Sequence, residues 1–305
     1  MALPRRDVEF QAFDGTTLRG WHYPTNEKRP CIIMSHGLAG IRHFHLPNFA
    51  QRFQEAGLNV LLYDNRGWGD SDGLPKNESN PAYQHSDYFD AFNYAQTLPS
   101  VDGDQIVYWG SSFSGATTIL AAASDKRIKA AIVQCSGIAG HYLPESFKDL
   151  LPGVLNNRAK NTPSNQARIP VVAADREAAK TGTAPALFNS LDAYDNYTEI
   201  YSTGGKWENW VTEQTLLHMW ELDAEAMMHR ISPTPFLMVI PSNDTLVTTD
   251  SQLMAYGKAK EPKQMLWIEG AGHFDIYKGE FFEQNIAAQI EFLRKNLSWK
   301  GESKI

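Results

Sequence analysis

Residues 106–115, IVYWGSSFSG, are a short apolar run that breaks into small side chains around Ser112, and they constrain the fold more than any other feature of the chain. Small residues two positions before and two after a serine are what a tight strand-to-helix turn requires. A larger side chain there would collide with the neighbouring backbone and pull the hydroxyl from an exposed, strained position. The run therefore reads as a nucleophile elbow, with Gly110 as the first small residue and Ser114, followed by Gly115, where a second glycine is commoner. Alone, a Gly-x-Ser-x-small run also describes an ordinary Gly/Ser loop, so its partners decide.

The partners follow in the chain order such elbows use, serine, then acid, then histidine, each just past a strand. The apolar run FLMVI at 236–240 ends in PSND, which sets Asp244 at a strand end; MLWI at 265–268 ends in EGAGH, which sets His273 at another. Upstream, CIIM at 31–34 runs into SHGL, a strand followed by the His-Gly signal of an oxyanion loop. The expected site is thus Ser112, Asp244 and His273, with the backbone N–H groups of Leu38 and Phe113 as oxyanion donors.

Around these motifs, 8–13 and 17–23 alternate on either side of Asp14-Gly15 as a hairpin. Then strands at 31–35, 59–64, 105–110 and 128–135 alternate with helices at 46–56, 86–98 and 114–124. Strands without internal polarity, separated by amphipathic helices, imply a mostly parallel sheet covered on both faces, with its ligand at the carboxyl ends of the strands. The core is expected over 1–137 and 232–305. Across 138–231 the alternation stops and aromatics accumulate, so this insertion is expected to be a helical lid over the serine. Tyr194, Tyr197 and Tyr201 are spaced to share one helix face, and Trp207 with Trp210 repeat a three-residue step. Some of these rings must form the insertion's own core. Tyr194, Tyr197, Trp207 and Trp210, with Phe274 beside His273, are expected also to line an apolar substrate pocket.

Other residues invite functional readings that the sequence does not favour. His43 and His45 form an H-x-H pair without a third ligand at metal spacing, and neither a dinucleotide nor a phosphate loop occurs, so no metal or cofactor is expected. The loop DNRGWGDSDG at 64–73 reads as structural. Lys148, Arg158, Lys160 and Arg168 could meet a phosphopantetheine or coenzyme A, but read better as solvated surface. Cys31 opens one strand and Cys135 closes another, too far apart for a disulfide, and both are expected to be free thiols. A formal net charge of -7 at pH 7 gives no basic footprint for nucleic acid or anionic membrane, and no segment reads as a leader or a membrane span. A cytoplasmic protein is expected. The final Ser303-Lys304-Ile305 is similar to a peroxisomal address, with a solvated tail as the plainer alternative.

The strings SHGLAG, YDNRGWGDSDG, VDGDQIVYWGSSFSGA, VIPSNDTLV and EGAGHFDIY resemble the α/β-hydrolase superfamily. Their wording, above all WGSSFSG after VDGDQI, is similar to the fungal polyketide transferase and thiohydrolase family of secondary-metabolite clusters. In that wording a serine after the elbow's aromatic residue is usual, which accounts for Ser114. The resemblance implies an α/β-hydrolase fold with an eight-stranded sheet. It also implies acyl chemistry on a hydrophobic polyketide-type ester or thioester, presented by a polyketide synthase carrier domain. Hydrolysis, acyl transfer to an alcohol, and a non-hydrolytic receptor or cyclase remain open, as does a homodimer. Epoxide and haloalkane hydrolysis are disfavoured, because they need a carboxylate where this chain has Ser112.

Overall fold

The chain, described over residues 3–299 by a computed structural model, enters through the expected hairpin. Strands β1 (Arg6–Gln11) and β2 (Thr17–Tyr23) pair antiparallel around Gly15, whose φ of 83° favours glycine. Strands β3 (Arg29–Ser35), β4 (Asn59–Tyr63), β5 (Val101–Ser111) and β6 (Ala130–Gln134) alternate with helices α1 (Leu46–Glu55), α2 (Pro81–Ala95) and α3 (Phe113–Ser124). Helix α2 begins earlier than expected, because Asn80 caps it by accepting the Ala82 N–H at 3.0 Å and Pro81 presets its first turn. Its first residues carry little hydrophobic periodicity, so the start was not visible in the pattern.

The insertion contains α4 (Leu151–Arg158), α5 (Arg176–Thr181), α6 (Leu191–Thr198) and α7 (Gln214–Glu221). It is not wholly helical: β7 (Arg168–Ile169) and β8 (Val211–Thr212) pair as a short antiparallel ribbon. Residues 207–210 form no helix, so their three-residue step does not put Trp207 and Trp210 on one face; Tyr201 lies in a separate short turn and is exposed. Local side chains start the insertion's helices, with Asp175 capping α5 and Ser190 capping α6.

After the insertion the chain returns through β9 (Phe236–Pro241), α8 (Thr249–Lys258), β10 (Lys263–Ile268) and α9 (Gly279–Asn296). The eight core strands lie in the order β1-β2-β4-β3-β5-β6-β9-β10, parallel from β4 onwards. Helices α1 and α9 pack together on one face, and α2 with α3 on the other. Strand β5 runs through the middle, buried from Ile106 to Ser111, and this central position holds the elbow rigid. The fold is the α/β-hydrolase fold expected from the sequence. No described helix is long and apolar enough to cross a membrane, and Ser303-Lys304-Ile305 lies outside the described residues.

Candidate active site

Ser112 sits between the end of β5 and the first residue of α3, at φ 56° and ψ -122°. A non-glycine residue there is strained, and the close packing around it keeps it so. A Cβ on Gly110 would lie 2.1 Å from the Ser114 carbonyl oxygen, and one on Gly115 would lie 2.5 Å from Ser136 Oγ. Ser114 has a task glycine could not perform. Its hydroxyl accepts the Ser111 N–H at 2.8 Å and lies 2.9 Å from the Ser35 carbonyl oxygen, which ties the elbow to the end of β3.

The structure brings the three expected residues together. His273 Nε2 is 3.1 Å from Ser112 Oγ, and His273 Nδ1 is 2.9 Å from Asp244 Oδ2. Asp244 and His273 are buried, whereas Ser112 is half-buried and reachable. The Asp244 carboxylate is held by the N–H groups of Leu246 and Val247 at 3.0 and 2.9 Å and by the Gln252 amide at 3.1 Å. These donors face the charged form and orient the oxygen that meets the imidazole. The arrangement can move a proton from a serine hydroxyl to an imidazole that a buried carboxylate holds in place.

The loop after β3 lies against the serine: a Cβ on Gly37 would be 3.0 Å from Ser112 Cβ. His36 orders this loop. Its Nε2 accepts the Asn65 N–H at 3.0 Å, so the proton sits on Nδ1, which donates to the Gly37 carbonyl at 3.0 Å. Burial pushes the His36 pKa down to about 4 and keeps the ring neutral. Because a trans peptide carries its N–H opposite its C=O, fixing the Gly37 carbonyl also fixes the Leu38 N–H. Phe113 opens α3, so its N–H has no intrahelical acceptor.

Two insertion residues reach the same loop. Tyr197 donates its hydroxyl to the Leu38 carbonyl at 2.6 Å, and Trp207 Nε1 donates to the Ala39 carbonyl at 2.7 Å. Ala39 is itself left-handed, with φ 55°, so these bonds hold a conformation that alanine disfavours. Tyr197 packs on Phe44, Phe188, Trp207 and Phe274, and Phe274 meets the His273 ring edge-on at 5.0 Å. Tyr194 is half-buried against the core. Trp210 takes no part in this cluster, since its ring lies beneath the Arg168 guanidinium at 3.8 Å.

The remaining functional readings resolve plainly. Arg168 stacks on Trp210, Arg158 bonds Gln214, and Lys148 bonds Glu145, so of Lys148, Arg158, Lys160 and Arg168 these three are engaged within the insertion. The 64–73 loop is structural: buried Asp64 binds Arg42, and Asp70 joins Arg42 to Lys206 of the insertion. Among the described residues no His, Cys, Asp or Glu cluster could hold a metal ion. Both free thiols are buried, and burial pushes them up to about 12, which disfavours the reactive thiolate. A cleft of ≈ 590 Å³ beside β1 and β2 is lined by Asp7, Glu9, Arg19, Arg42, Asp70 and Lys206, and no residue of the triad lines it.

Beneath the serine runs a buried amide chain that sequence reading missed. Trp109 donates to Gln289, Gln289 and Asn285 donate to Gln134, and Gln134 donates to Ser111 Oγ, which also bonds Tyr277 in the turn after His273. It joins the strand that ends at the elbow to the segment that carries His273. One signal was available, the glutamine closing the otherwise apolar β6, AAIVQ.

Comparison with known proteins gives one consistent picture. The profile of the family described as serine aminopeptidase, S33, matches residues 26–276. The chain is 35% identical over 299 residues to a polyketide transferase, grgF, from Penicillium sp., covering 97% of this chain and 98% of that one. It is 34% identical over 294 residues to a thiohydrolase from Eupenicillium brefeldianum, covering 95% and 94%. The crystal structure of the α/β hydrolase GrgF from Penicillium sp. sh18 superposes with a TM-score of 0.85 at 34% identity, over 97% of this chain and 100% of that one.

Proposed function

The chain belongs to the serine aminopeptidase S33 family of α/β-hydrolases, and we propose that it cleaves a hydrophobic polyketide-type or fatty acyl thioester or ester through an acyl-enzyme on Ser112. The observation that carries this reading is the continuous line Asp244–His273–Ser112, with steps of 2.9 and 3.1 Å, ending on a strained residue at the head of α3. Strain of this kind serves a nucleophile and has no evident use in a passive receptor.

In this reading Ser112 Oγ attacks the acyl carbon while His273 Nε2 takes its proton, and Asp244 holds the imidazole and stabilises the cation that forms. The N–H groups of Leu38 and Phe113 receive the oxyanion. Collapse of the tetrahedral intermediate breaks the C–S or C–O bond, and His273 returns the proton to the leaving thiol or alcohol. Water, deprotonated by His273, then attacks the acyl-serine, releases the free acid and restores the hydroxyl. The thioester class is supported by the thiohydrolase and polyketide transferase names of the relatives and by the aromatic wall of Phe44, Tyr197 and Phe274 beside His273. Presentation of the acyl chain by a polyketide synthase carrier domain belongs to the same reading.

A second outcome, transfer of the acyl group to an alcohol, is favoured by the name of the Penicillium relative and uses the same acyl-enzyme. Incubating the protein with a long-chain acyl thioester, with and without candidate alcohols, separates the two. Free acid without an acceptor is expected; product only with an alcohol replaces hydrolysis by transfer. Inertness towards every acyl donor, with no labelling of Ser112 by a fluorophosphonate, overturns both.

A further inference from the structure

Ser112 and His273 come from strands that do not touch. Strands β6 and β9 lie between β5 and β10, and neighbouring strands are about 4.8 Å apart, so the loop after β10 must cross roughly 14 Å of the sheet's end to bring His273 to the serine. The early part of that loop is tied to the loop after β9. Ser242 Oγ accepts the Gly270 N–H at 2.7 Å, and the Ala271 carbonyl accepts the Asn243 N–H at 2.8 Å. These bonds set His273 against Asp244 and do not reach β5. Past His273 the chain tightens into the short turn Asp275–Tyr277, and there the Tyr277 hydroxyl bonds that of Ser111, the residue just before the nucleophile. Among the described residues this is the one hydrogen bond, besides His273 to Ser112 itself, that runs directly from 269–278 to 110–114.

We propose that Tyr277 is a positioning residue: its hydroxyl, acting through Ser111, holds His273 Nε2 at proton-transfer distance from Ser112 Oγ. The inference rests on the acyl-enzyme reading above. The bond has a fixed place because both of its sides are fixed. Trp109 Nε1 can only donate, so Gln289 meets it with its oxygen at 2.8 Å and turns its amide N–H towards the Gln134 oxygen at 3.0 Å. That oxygen also takes the Asn285 amide at 2.9 Å, so the Gln134 amide nitrogen faces Ser111 Oγ, at 3.0 Å. The Gln134 main-chain carbonyl accepts the Ser112 N–H at 3.0 Å, and one residue of β6 thereby holds two successive residues of the elbow. On the other side the Tyr277 ring packs against Phe44, His45 and Phe49, with centroids 5.7, 5.7 and 6.1 Å away. Ser111 and Tyr277 are both buried, with Cys135 Sγ 3.5 and 3.6 Å from their hydroxyls, so bulk water does not replace the bond when one partner is removed. A Tyr277 that only stabilised the fold would change how much enzyme folds. A Tyr277 that positions His273 changes how fast each folded site reacts.

The rate constant for labelling Ser112 with a fluorophosphonate, together with kcat and KM on an aryl ester, separates these roles, because the endpoint of labelling counts folded sites. Tyr277→Phe keeps the ring and should lower the labelling rate constant and kcat roughly tenfold, at unchanged KM and unchanged endpoint. Ser111→Ala should do the same, and the double variant should be no slower than the slower single one, since both remove one bond. Tyr108→Phe is the control. It deletes another buried hydroxyl of β5, held by Asp125 at 2.7 Å and not by the chain beneath the serine, and should lower the melting temperature without changing the rate constant. Should Tyr277→Phe fail to fold, Ser111→Ala carries the same reading. A wild-type rate constant in either folded variant, losses that multiply in the double variant, or an equal loss in Tyr108→Phe overturns the inference. A wild type that takes no label overturns the acyl-enzyme reading along with it, whereas a labelled wild type with equally fast variants leaves that reading standing.

Discussion

The core and the insertion hold the residues of the candidate site by different means. In the core, Ser112, Asp244 and His273 stand at the ends of β5, β9 and β10, so the backbone of one sheet sets their spacing. In the insertion, Tyr197 and Trp207 reach the loop after β3 from segments without long regular structure, through side-chain bonds of 2.6 and 2.7 Å and the ring contacts of Tyr197. The geometry of the candidate site is thus built into the fold, while the insertion is joined to it through a few polar atoms and the ring packing around Tyr197. Mutations should affect the two in different ways.

The largest effects belong to the core. Ser112→Ala and His273→Ala should each lower kcat on the order of 10⁴-fold without loss of folding, because nucleophile and base act as a unit. Asp244→Asn should be milder or equal, never neutral. Steady-state rates on one aryl ester check all three, and a Ser112→Ala protein with more than about a tenth of wild-type activity removes that residue from the mechanism. Gly110→Ala should prevent folding, since its Cβ would lie 2.1 Å from a backbone oxygen and 2.3 Å from Thr118 Oγ1; a soluble variant with a normal melt would contradict the packing argument.

Tyr197→Phe and Trp207→Phe sharpen the comparison, because each removes one hydrogen bond and keeps the ring. A net bond is worth about 1 kcal/mol, so kcat should fall roughly fivefold, with KM little changed and the same factor for short and long acyl groups. A loss confined to KM for long chains would make these rings pocket lining and nothing more. Arg168→Ala, which uncovers Trp210 on the insertion surface, should change neither constant.

The last test uses acid and reads stability. Burial pushes His36 and His45 down to about 4, below the ordinary 6.5. Between those values the unfolded chain binds protons that the folded chain excludes, so stability is intact above pH 6.5 and falls as pH drops towards 4. Urea midpoints across that window should decline with acid. A flat profile would mean that neither ring is buried neutral.

What could be read from the sequence follows the same division. The elbow, the His-Gly loop and the two strand-end residues are each encoded within a few positions, because a strand end places its neighbours locally. The boundaries of α2 and the ribbon β7–β8 depend on a cap and on two-residue pairings that carry no periodicity. The ties from Tyr197 and Trp207 span 159 and 168 positions, and nothing near either ring names its partner. The buried chain through Gln134, Asn285 and Gln289 is similar: Gln134 stands out at the end of apolar β6, but Asn285 and Gln289 look like ordinary polar residues until three elements meet.

Tyr197 and Trp207 grip main-chain carbonyls and touch no side-chain acceptor at Leu38 or Ala39. Every amino acid offers the same carbonyl, so the grip persists whatever side chain stands at position 38. Leu38 itself is 5% exposed, so what constrains that position is the apolar packing around it and not the two donors.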